Sequence, residues 1–324
     1  MPAIITHYIF GLETAESISS SPLYSVLKDN YTLYRLGLQG PDPIYYHHIY
    51  KKDAKKSVAF KLHTEKTADY IISLLCYAKK FPVSSESWNE ILSFTCGVIC
   101  HYVLDYMSHP YIYYFSGKYT PSMPETKKYR GLHHKLELTI DNILCSEKPA
   151  LKKSKITPSS LLPSNVPSNI LAALDETILL NYGIPNGGQI YMNGCKNMRN
   201  YYYLGKSSSD NKIKQAILTI PGVSNIMGPV ANSISLVGSS HTSIDYLNRK
   251  RRVWRHPVTG NISTASFDDI LRNSLKKSSY LLLVAYKFAS TAMTAEELRD
   301  LIPNVSYITG LPLDDTRPFK YFSE

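Results

Sequence analysis

Three ionisable side chains recur at intervals of four within one apolar stretch: His101, Asp105 and His109. Residues four apart lie on one face of an α-helix, so a helix here would place two imidazoles and a carboxylate on one stripe. The preceding residues 88–100 are mostly apolar, and buried ionisable groups normally require a partner. A metal ion is the commonest partner, because imidazole and carboxylate are good zinc ligands. The alternative is a helix end with solvated polar groups, and this stretch alone does not decide between them.

A second set with the same spacing lies in residues 130–145, where His133, Glu137 and Asp141 are four apart. Apolar residues recur at helical spacing here too, so His133 and Glu137 are predicted to share a face of a second helix. His134, three residues before Glu137, could share that face as well; we favour His133. We interpret Asp141 as supporting a ligand or lying on the surface, rather than as a ligand.

Three further candidates come earlier in the chain: His7, Asp42 and His63. Asp42 stands between two prolines, which hold it on a rigid turn. Taken alone, it is most simply a turn aspartate, and His63 a histidine at the edge of an apolar stripe. The candidate ligands together are His7, Asp42, His63, His101, Asp105, His109, His133 and Glu137. Zinc takes about four ligands, so this set suits two or three ions, with Asp105 as a bridging carboxylate.

Helices must position these residues, and apolar spacing predicts helices over most of the chain. Residues 87–109 are predicted to be one helix that starts at a capping box, Ser87 with Glu90, and is closed by His109-Pro110. Residues 55–80 are predicted to be one long amphipathic helix. The other predicted helices are one or two within 17–38, then 130–145, 168–182, 189–204, 213–236 and 266–290. Strand alternation is scarce, so the predicted fold class is all-α, with many helices around a multinuclear metal site.

The 324 residues, 44% hydrophobic and 19% charged, are enough to bury a sizeable core. A Pro-, Ser- and Lys-rich stretch, 146–168, is a candidate boundary. It would separate a metal-binding helical core, 1–150, from a helical continuation, 151–324, that packs on it in the same domain. Residues 1–150 hold 16 Lys and Arg against 14 Asp and Glu, whereas 151–324 hold 20 against 12. The second half is therefore the expected surface for an anionic partner such as a membrane, although solubility alone also explains the charge.

The five cysteines do not form a disulfide framework, and we interpret Cys96 and Cys100 as reduced core residues. No signal peptide is recognised and no run of 18 apolar residues occurs, so no transmembrane segment is expected. The expected location is the cytoplasm.

The sequence resembles the zinc-dependent phospholipase C family, in particular its non-secreted Gram-positive branch. The carriers are Pro2-Ala-Ile-Ile-Thr-His7, Leu38-Gln-Gly-Pro-Asp-Pro43, His63 with Glu65, Cys100-His-Tyr-Val-Leu-Asp105, His109-Pro110, His133-His-Lys-Leu-Glu137 and Ile140-Asp141. Weaker ones follow in the second half: Asp245-Tyr-Leu-Asn248, Trp254, Pro257 and Ser266-Phe267.

The resemblance implies a phospholipase C/P1 nuclease-like fold with a trinuclear zinc centre. One zinc would be served by Asp42, His63, His101 and Asp105. A second would be held by His109, His133 and Glu137, and a third by His7 with the bridging Asp105. Secreted members also use the amine and carbonyl of an N-terminal residue, usually Trp, as ligands of the third zinc; no Trp stands at the start of this sequence.

The implied activity is hydrolysis of a phospholipid to diacylglycerol and a phosphorylated headgroup, or hydrolysis of another phosphodiester. Asp42 would be the general base as well as a ligand. One alternative is a zinc-stabilised binding or structural protein with little or no turnover, which the missing Trp and the expected cytoplasmic location motivate. Another is a nuclease with the same metal chemistry. Only the basic second half supports it, and the sequence does not place aromatic side chains where bases would stack, so nucleic acid is not favoured.

Overall fold

A computed structural model of the chain describes residues 4–47, 57–120, 122–148, 157–207 and 244–323. The α-helices in these ranges are α1 (Ile4–Ser17), α2 (Pro22–Asp29), α3 (Tyr31–Gly37), α4 (Ser57–Thr64), α5 (Thr67–Ala78), α6 (Glu86–Ser116), α7 (Leu132–Ser146), α8 (Ser168–Tyr182), α9 (Gly187–Ser207), α10 (Phe267–Ser290) and α11 (Ala295–Arg299). Short 3-10 helices span Asp42–Tyr46, Pro124–Tyr129 and Pro158–Leu161. The strands β1 (Trp254–Arg255) and β2 (Ile262–Ser263) form one antiparallel pair, with Trp254 opposite Ser263. The all-α prediction is confirmed.

Helix α6 is the central element, because α1, α3, α5, α7, α8 and α10 all pack on it. It is buried on most of its surface, from Trp88 to Ile112. Its N-cap is Ser85, whose hydroxyl accepts a hydrogen bond from the Trp88 N–H, so the predicted capping box at Ser87 was wrong by two residues. Helix α3 crosses α6 backbone to backbone, since a Cβ added at Gly97 would lie 2.2 Å from the carbonyl oxygen of Tyr34. This crossing brings the turn after α3 onto the face of α6 that carries the histidines.

The predicted end of this helix at His109-Pro110 was also wrong, because α6 continues through Pro110 to Ser116. Proline cannot donate to the carbonyl four residues earlier, that of Tyr106, which costs one helical hydrogen bond. Tyr111 and Ile112 beyond the proline are buried, and their burial stabilises the last turns. His109 therefore lies inside a continuous helix, on the same face as Asp105 one turn earlier.

The predicted helix over 55–80 is two helices, α4 and α5, and residues 55 and 56 lie outside the described ranges. The break is at Lys66, whose φ of 48° is left-handed. Contacts with distant residues stabilise it: the Tyr182 hydroxyl donates to the Glu65 carbonyl, and the Asn304 side chain accepts from the first turn of α5. Since α4 ends here, His63 in its last turn faces the Asp42 turn.

The second half adds helices that pack on this core. Helix α8 has the predicted bounds, 168–182, and α10 begins after Ser266, which forms a capping box with Asp269. Helix α9 packs on the 3-10 helix that starts at Asp42. The predicted helix over 213–236 lies outside the described residues. Because α8 and α10 pack on α5 and α6, we propose that both parts of the chain form one domain.

Helix α6 is long and apolar enough, by length and composition alone, to cross a membrane. However, 89% of its most apolar window is buried inside the fold, as expected for a core helix. It is the one such helix among the residues described above, and the fold gives it protein neighbours on nearly all sides. The apolar character of α6 is therefore accounted for by packing.

Candidate metal centre

The candidate ligands form two groups in the folded chain. The four-residue group contains Asp42, His63, His101 and Asp105, and the three-residue group contains His109, His133 and Glu137. Within each group, one ligand atom per residue can be chosen such that all of them lie within 4.8 Å of one another. All members are buried except His133, whose side chain is 26% exposed. These are the two sets that the resemblance assigned to the first and second zinc.

Two carboxylates in the four-residue group face two imidazoles. Asp42 Oδ1 is 3.1 Å from His63 Nε2 and 3.6 Å from His101 Nε2. Asp105 Oδ2 is 3.2 Å from His101 Nε2 and 3.9 Å from His63 Nε2. The elements that meet here are the turn after α3, the end of α4 and one turn of α6.

Main-chain carbonyls fix the orientation of both imidazoles. His63 Nδ1 donates to the Ala59 carbonyl at 2.6 Å, and His101 Nδ1 donates to the Leu38 carbonyl at 3.1 Å. A carbonyl can only accept, so the proton of each neutral ring is on Nδ1, and Nε2 presents a lone pair to the carboxylates. Two lone pairs facing each other at about 3 Å repel, and a cation between them removes that repulsion. This is the hydrogen-bonding pattern of metal-bound histidine.

In the three-residue group a main-chain carbonyl also orients a histidine, but the carbonyl comes from a residue far away in the sequence. His109 Nδ1 donates to the carbonyl of Tyr307 at 2.6 Å, which leaves Nε2 at 4.0 Å from Glu137 Oε1. His133 Nε2 lies 2.8 Å from the same oxygen. His134 Nδ1 is 3.8 Å from Glu137 Oε2, beyond hydrogen-bonding distance. The geometry therefore supports His133 as the ligand, as the sequence analysis favoured.

His7 lies beside the four-residue group without belonging to it. Its Nε2 is 3.2 Å from Asp105 Oδ1, and its ring stacks on that of His101 with centroids 4.1 Å apart. Asp105 thus directs Oδ2 to one group and Oδ1 to His7, which is the arrangement expected of a bridging carboxylate.

Unpaired polar atoms in this cluster show that the residues fit a metal ion. Five buried atoms here make no hydrogen bond: both ring nitrogens of His7, Nε2 of His101 and both carboxylate oxygens of Asp105. The two oxygens of Asp105 each lie 3.2 Å from an Nε2, one of His7 and one of His101. Such groups are costly to bury unless something satisfies them. A divalent cation would satisfy imidazole nitrogens and carboxylate oxygens together, and zinc prefers this set of donors.

The electrostatics point the same way. Burial alone would raise the pKa of Asp105, but His101 and His109 hold it well below its usual range. His133 likewise holds the pKa of Glu137 low despite burial. Burial lowers the pKa of His109 well below its ordinary value. At His101 burial also acts to lower the pKa, but the neighbouring carboxylates of Asp105 and Asp42 together outweigh it and raise the pKa. The lowered pKa values of the Asp105 and Glu137 carboxyls and of the His109 imidazole are in the direction that metal binding requires, since metal ligands bind deprotonated.

Asp141 supports the site from α7, as its interpretation as a non-ligand anticipated. Its buried carboxylate accepts hydrogen bonds from the N–H groups of Ile5 and Thr6, at 2.9 and 2.8 Å, and from the Thr6 hydroxyl. These donors belong to the first turn of α1, where backbone N–H groups lack helical partners. Asp141 therefore fixes the start of α1, and with it His7, against the helix that carries Glu137.

Residue types did not predict the three carbonyls that orient the histidines. Main-chain groups leave no residue-type signal, and those of Leu38 and Tyr307 come from distant parts of the chain. Only Ala59, four residues before His63 on one helix, could have been deduced from helical geometry. Trp254, one of the weaker carriers of the resemblance, is a packing residue: it is buried, donates to the Ala265 carbonyl and packs against Tyr111.

Fold and site together define an all-α protein with two groups of histidines and carboxylates, mostly buried, that could each hold a metal ion. The sequence model of the zinc dependent phospholipase C family matches residues 6–180, which is more than half of the chain and includes all eight candidate ligands. The chain belongs to this family. No curated protein and no solved structure matches it.

Proposed function

We propose that the protein is a zinc-dependent phosphoric diester hydrolase that cleaves a phospholipid to diacylglycerol and a phosphorylated headgroup. The observation that carries the proposal is the pair of adjacent ligand groups in a member of the zinc-dependent phospholipase C family. Asp42, His63, His101 and Asp105 would hold one ion, and His109, His133 and Glu137 another. His7 and Asp105 Oδ1 would serve a third.

When bound, zinc lowers the pKa of a coordinated water towards about 7 and polarises phosphoryl oxygens. Asp42 is the proposed general base. Its carboxylate is held between Pro41 and Pro43, and Oδ1 faces the imidazoles of His63 and His101 at 3.1 and 3.6 Å. From this position it can accept the proton of a water molecule placed between the ligand groups.

The three-residue group supports turnover rather than a purely structural role. Structural zinc sites usually have four protein ligands, whereas catalytic sites keep one position open. The group with His109 offers three side chains, and its His133 is partly exposed. A zinc-stabilised protein without turnover remains the alternative that the experiment must separate.

Segment 117–132, directly before His133, is the proposed contact with an anionic membrane surface. Its side chains include Lys118, Lys127, Lys128 and Arg130 against Glu125 alone, together with the exposed Tyr119, Met123 and Leu132. In the second half, two of the arginines in residues 249–252 form ion pairs with acidic side chains: Arg249 pairs with Glu147 and Asp268, and Arg251 with Asp269. Co-sedimentation with phosphatidylglycerol vesicles should weaken for a Lys127→Ser/Lys128→Ser variant and not for a Lys276→Ser/Lys277→Ser control on α10.

Zinc analysis of the purified protein, followed by a substrate panel, tests the proposed activity. The panel would contain phospholipid vesicles of several headgroups, a soluble chromogenic phosphodiester and single-stranded DNA. We expect bound zinc and phospholipid hydrolysis that chelation abolishes and zinc restores. Bound zinc without turnover would favour the structural alternative, and preference for DNA would favour a nuclease.

We propose the cytoplasm as the location, which the absence of disulfides among the five cysteines supports.

A further inference from the structure

A hairpin near the C-terminus reaches both ligand groups, although it lies outside the residues matched by the family model. Val305 pairs with Pro312, the Ser306 N–H donates to the Leu311 carbonyl, and the Gly310 N–H donates to the Ser306 carbonyl. We call residues 303–312 the C-terminal hairpin. Its turn places Tyr307 against α4 and α6.

Tyr307 contacts the metal centre through both main-chain groups and its ring. Its N–H donates to the His63 carbonyl at 2.9 Å, and its carbonyl accepts from His109 Nδ1 at 2.6 Å. The ring lies edge-on to His63, with centroids 4.9 Å apart, and near His101 at 6.0 Å. One buried residue therefore touches a histidine of each group.

We propose that Tyr307 is a positioning residue, through which the C-terminal hairpin sets the metal affinity of the three-residue group. This inference rests on one part of the proposed function, that zinc is the ion bound. The Tyr307 carbonyl keeps the proton of His109 on Nδ1, so that Nε2 is free to bind metal beside Glu137. Supports of this kind change metal affinity by about 10–100-fold.

The four-residue group does not depend on this carbonyl. His63 and His101 donate their Nδ1 protons to Ala59 and Leu38, which belong to α4 and to the segment after α3. Displacing the hairpin would also remove the Tyr307 N–H from the His63 carbonyl, but the Ala59 carbonyl would still hold the His63 ring. We therefore expect one ion to be weakened strongly and the other to stay bound. Replacing the Tyr307 side chain would leave its main-chain hydrogen bonds in place, so the better way to displace the carbonyl is to move the hairpin.

Gly310 is the point at which the hairpin can be moved. It has a φ of +66°, and a Cβ added there would lie 2.4 Å from the carbonyl oxygen of Tyr106. That carbonyl is the one that Pro110 leaves without a helical donor, so the hairpin sits directly on the irregular turn of α6. A side chain at 310 must push the hairpin away from α6, and Tyr307 with it.

The test compares Gly310→Val with Gly183→Val in the full-length chain. Gly183 has a similar φ of +68°, but an added Cβ would meet nothing within 4 Å, so it controls for backbone strain without displacement. Zinc titration against a competing chelator should show about 10–100-fold weaker binding of one ion in Gly310→Val. The other ion should stay bound, and Gly183→Val should bind both as the unmodified protein does.

Nitrogen-15 NMR of the histidine rings gives a readout that does not require metal. In the metal-free protein, His109 should be protonated on Nδ1, and Gly310→Val should shift its resonances towards the other tautomer while His63 keeps its proton on Nδ1. Absence of zinc from the unmodified protein would contradict the proposed function but leave this test intact. A Gly310→Val protein with normal zinc affinity and an unchanged His109 tautomer would overturn the inference.

A milder variant guards against failure to fold. The Tyr102 hydroxyl donates to the Pro303 carbonyl and accepts from the Val305 N–H, so Tyr102→Phe loosens the hairpin without adding bulk. It should weaken the same ion by a smaller factor, of about 10-fold or less. Equal weakening of both ions, or of neither, would count against a role confined to the three-residue group.

Discussion

The two ligand groups differ in closure and in how they are held. The four-residue group is fully buried, and the histidines in it are oriented by carbonyls from α4 and from the segment after α3. The three-residue group has a partly exposed His133, and its His109 depends on a carbonyl 198 residues away in the chain. Four buried donors suit an ion that is retained, whereas three donors leave a position for substrate. If each group holds zinc as proposed, we expect the ion of the four-residue group to be retained and the ion of the three-residue group to exchange.

Asp105 should affect both ligand groups. Its Oδ2 faces the four-residue group and lies 4.0 Å from His109 Nδ1, and its Oδ1 faces His7. Asp105→Asn should therefore remove most of the bound zinc and lower hydrolysis by about 100-fold or more, beyond the cost of losing a supporting residue. Zinc content and the rate on a soluble phosphodiester measure this effect. Asp29→Asn, an exposed change at the end of α2, is the control. Full zinc content in Asp105→Asn would refute its bridging role.

Alanine variants of one histidine from each group should separate the two roles. His63→Ala removes a buried ligand, so we expect a loss of more than about 2 kcal/mol in the free energy of unfolding together with zinc and activity. His133→Ala should lose activity and the exchangeable ion, with about 1 kcal/mol or less of stability. Thermal melts, zinc analysis and rates test the pair. Equal destabilisation by both would show that the groups are not divided in this way.

Asp141→Asn probes the link between α1 and α7. The amide that replaces the carboxylate has one acceptor oxygen for three donors in the first turn of α1, and leaving one buried donor unpaired costs about 1–3 kcal/mol. Because the carbonyls that hold His63 and His109 are untouched, both should keep their ions. Denaturant unfolding should show this lower free energy of unfolding both with and without zinc. A loss of stability confined to the zinc-loaded protein would argue against the link between α1 and α7.

How far the sequence predicted this site depends on the distance over which each contact acts. The spacings of His101, Asp105 and His109 placed them on one face of one helix, because helical periodicity is local. The sequence could not show that α6 continues through Pro110, since burial of the turn beyond it decides that. Nor could it show the break at Lys66, which contacts with Tyr182 and Asn304 stabilise. Contacts between distant residues, which the local sequence pattern does not show, determine both of these helix boundaries.

The smallest expected effect lies far from either ligand group, at the start of α10. Main-chain donation from Ser266, with Arg251 alongside, lowers the pKa of Asp269 to about 2. A carboxylate whose pKa is lower in the folded state stabilises the fold above its unfolded pKa of about 3.9, and this contribution is lost as pH falls towards 2. In the metal-free protein, Asp269→Asn should therefore be less stable than the unmodified chain near pH 5. Urea unfolding should show this difference shrinking between about pH 4 and pH 2. If the stability difference between the two proteins stayed constant over this range, the charge of Asp269 would not act through the cap. If the difference appeared only when zinc is bound, α10 would be coupled to the metal centre.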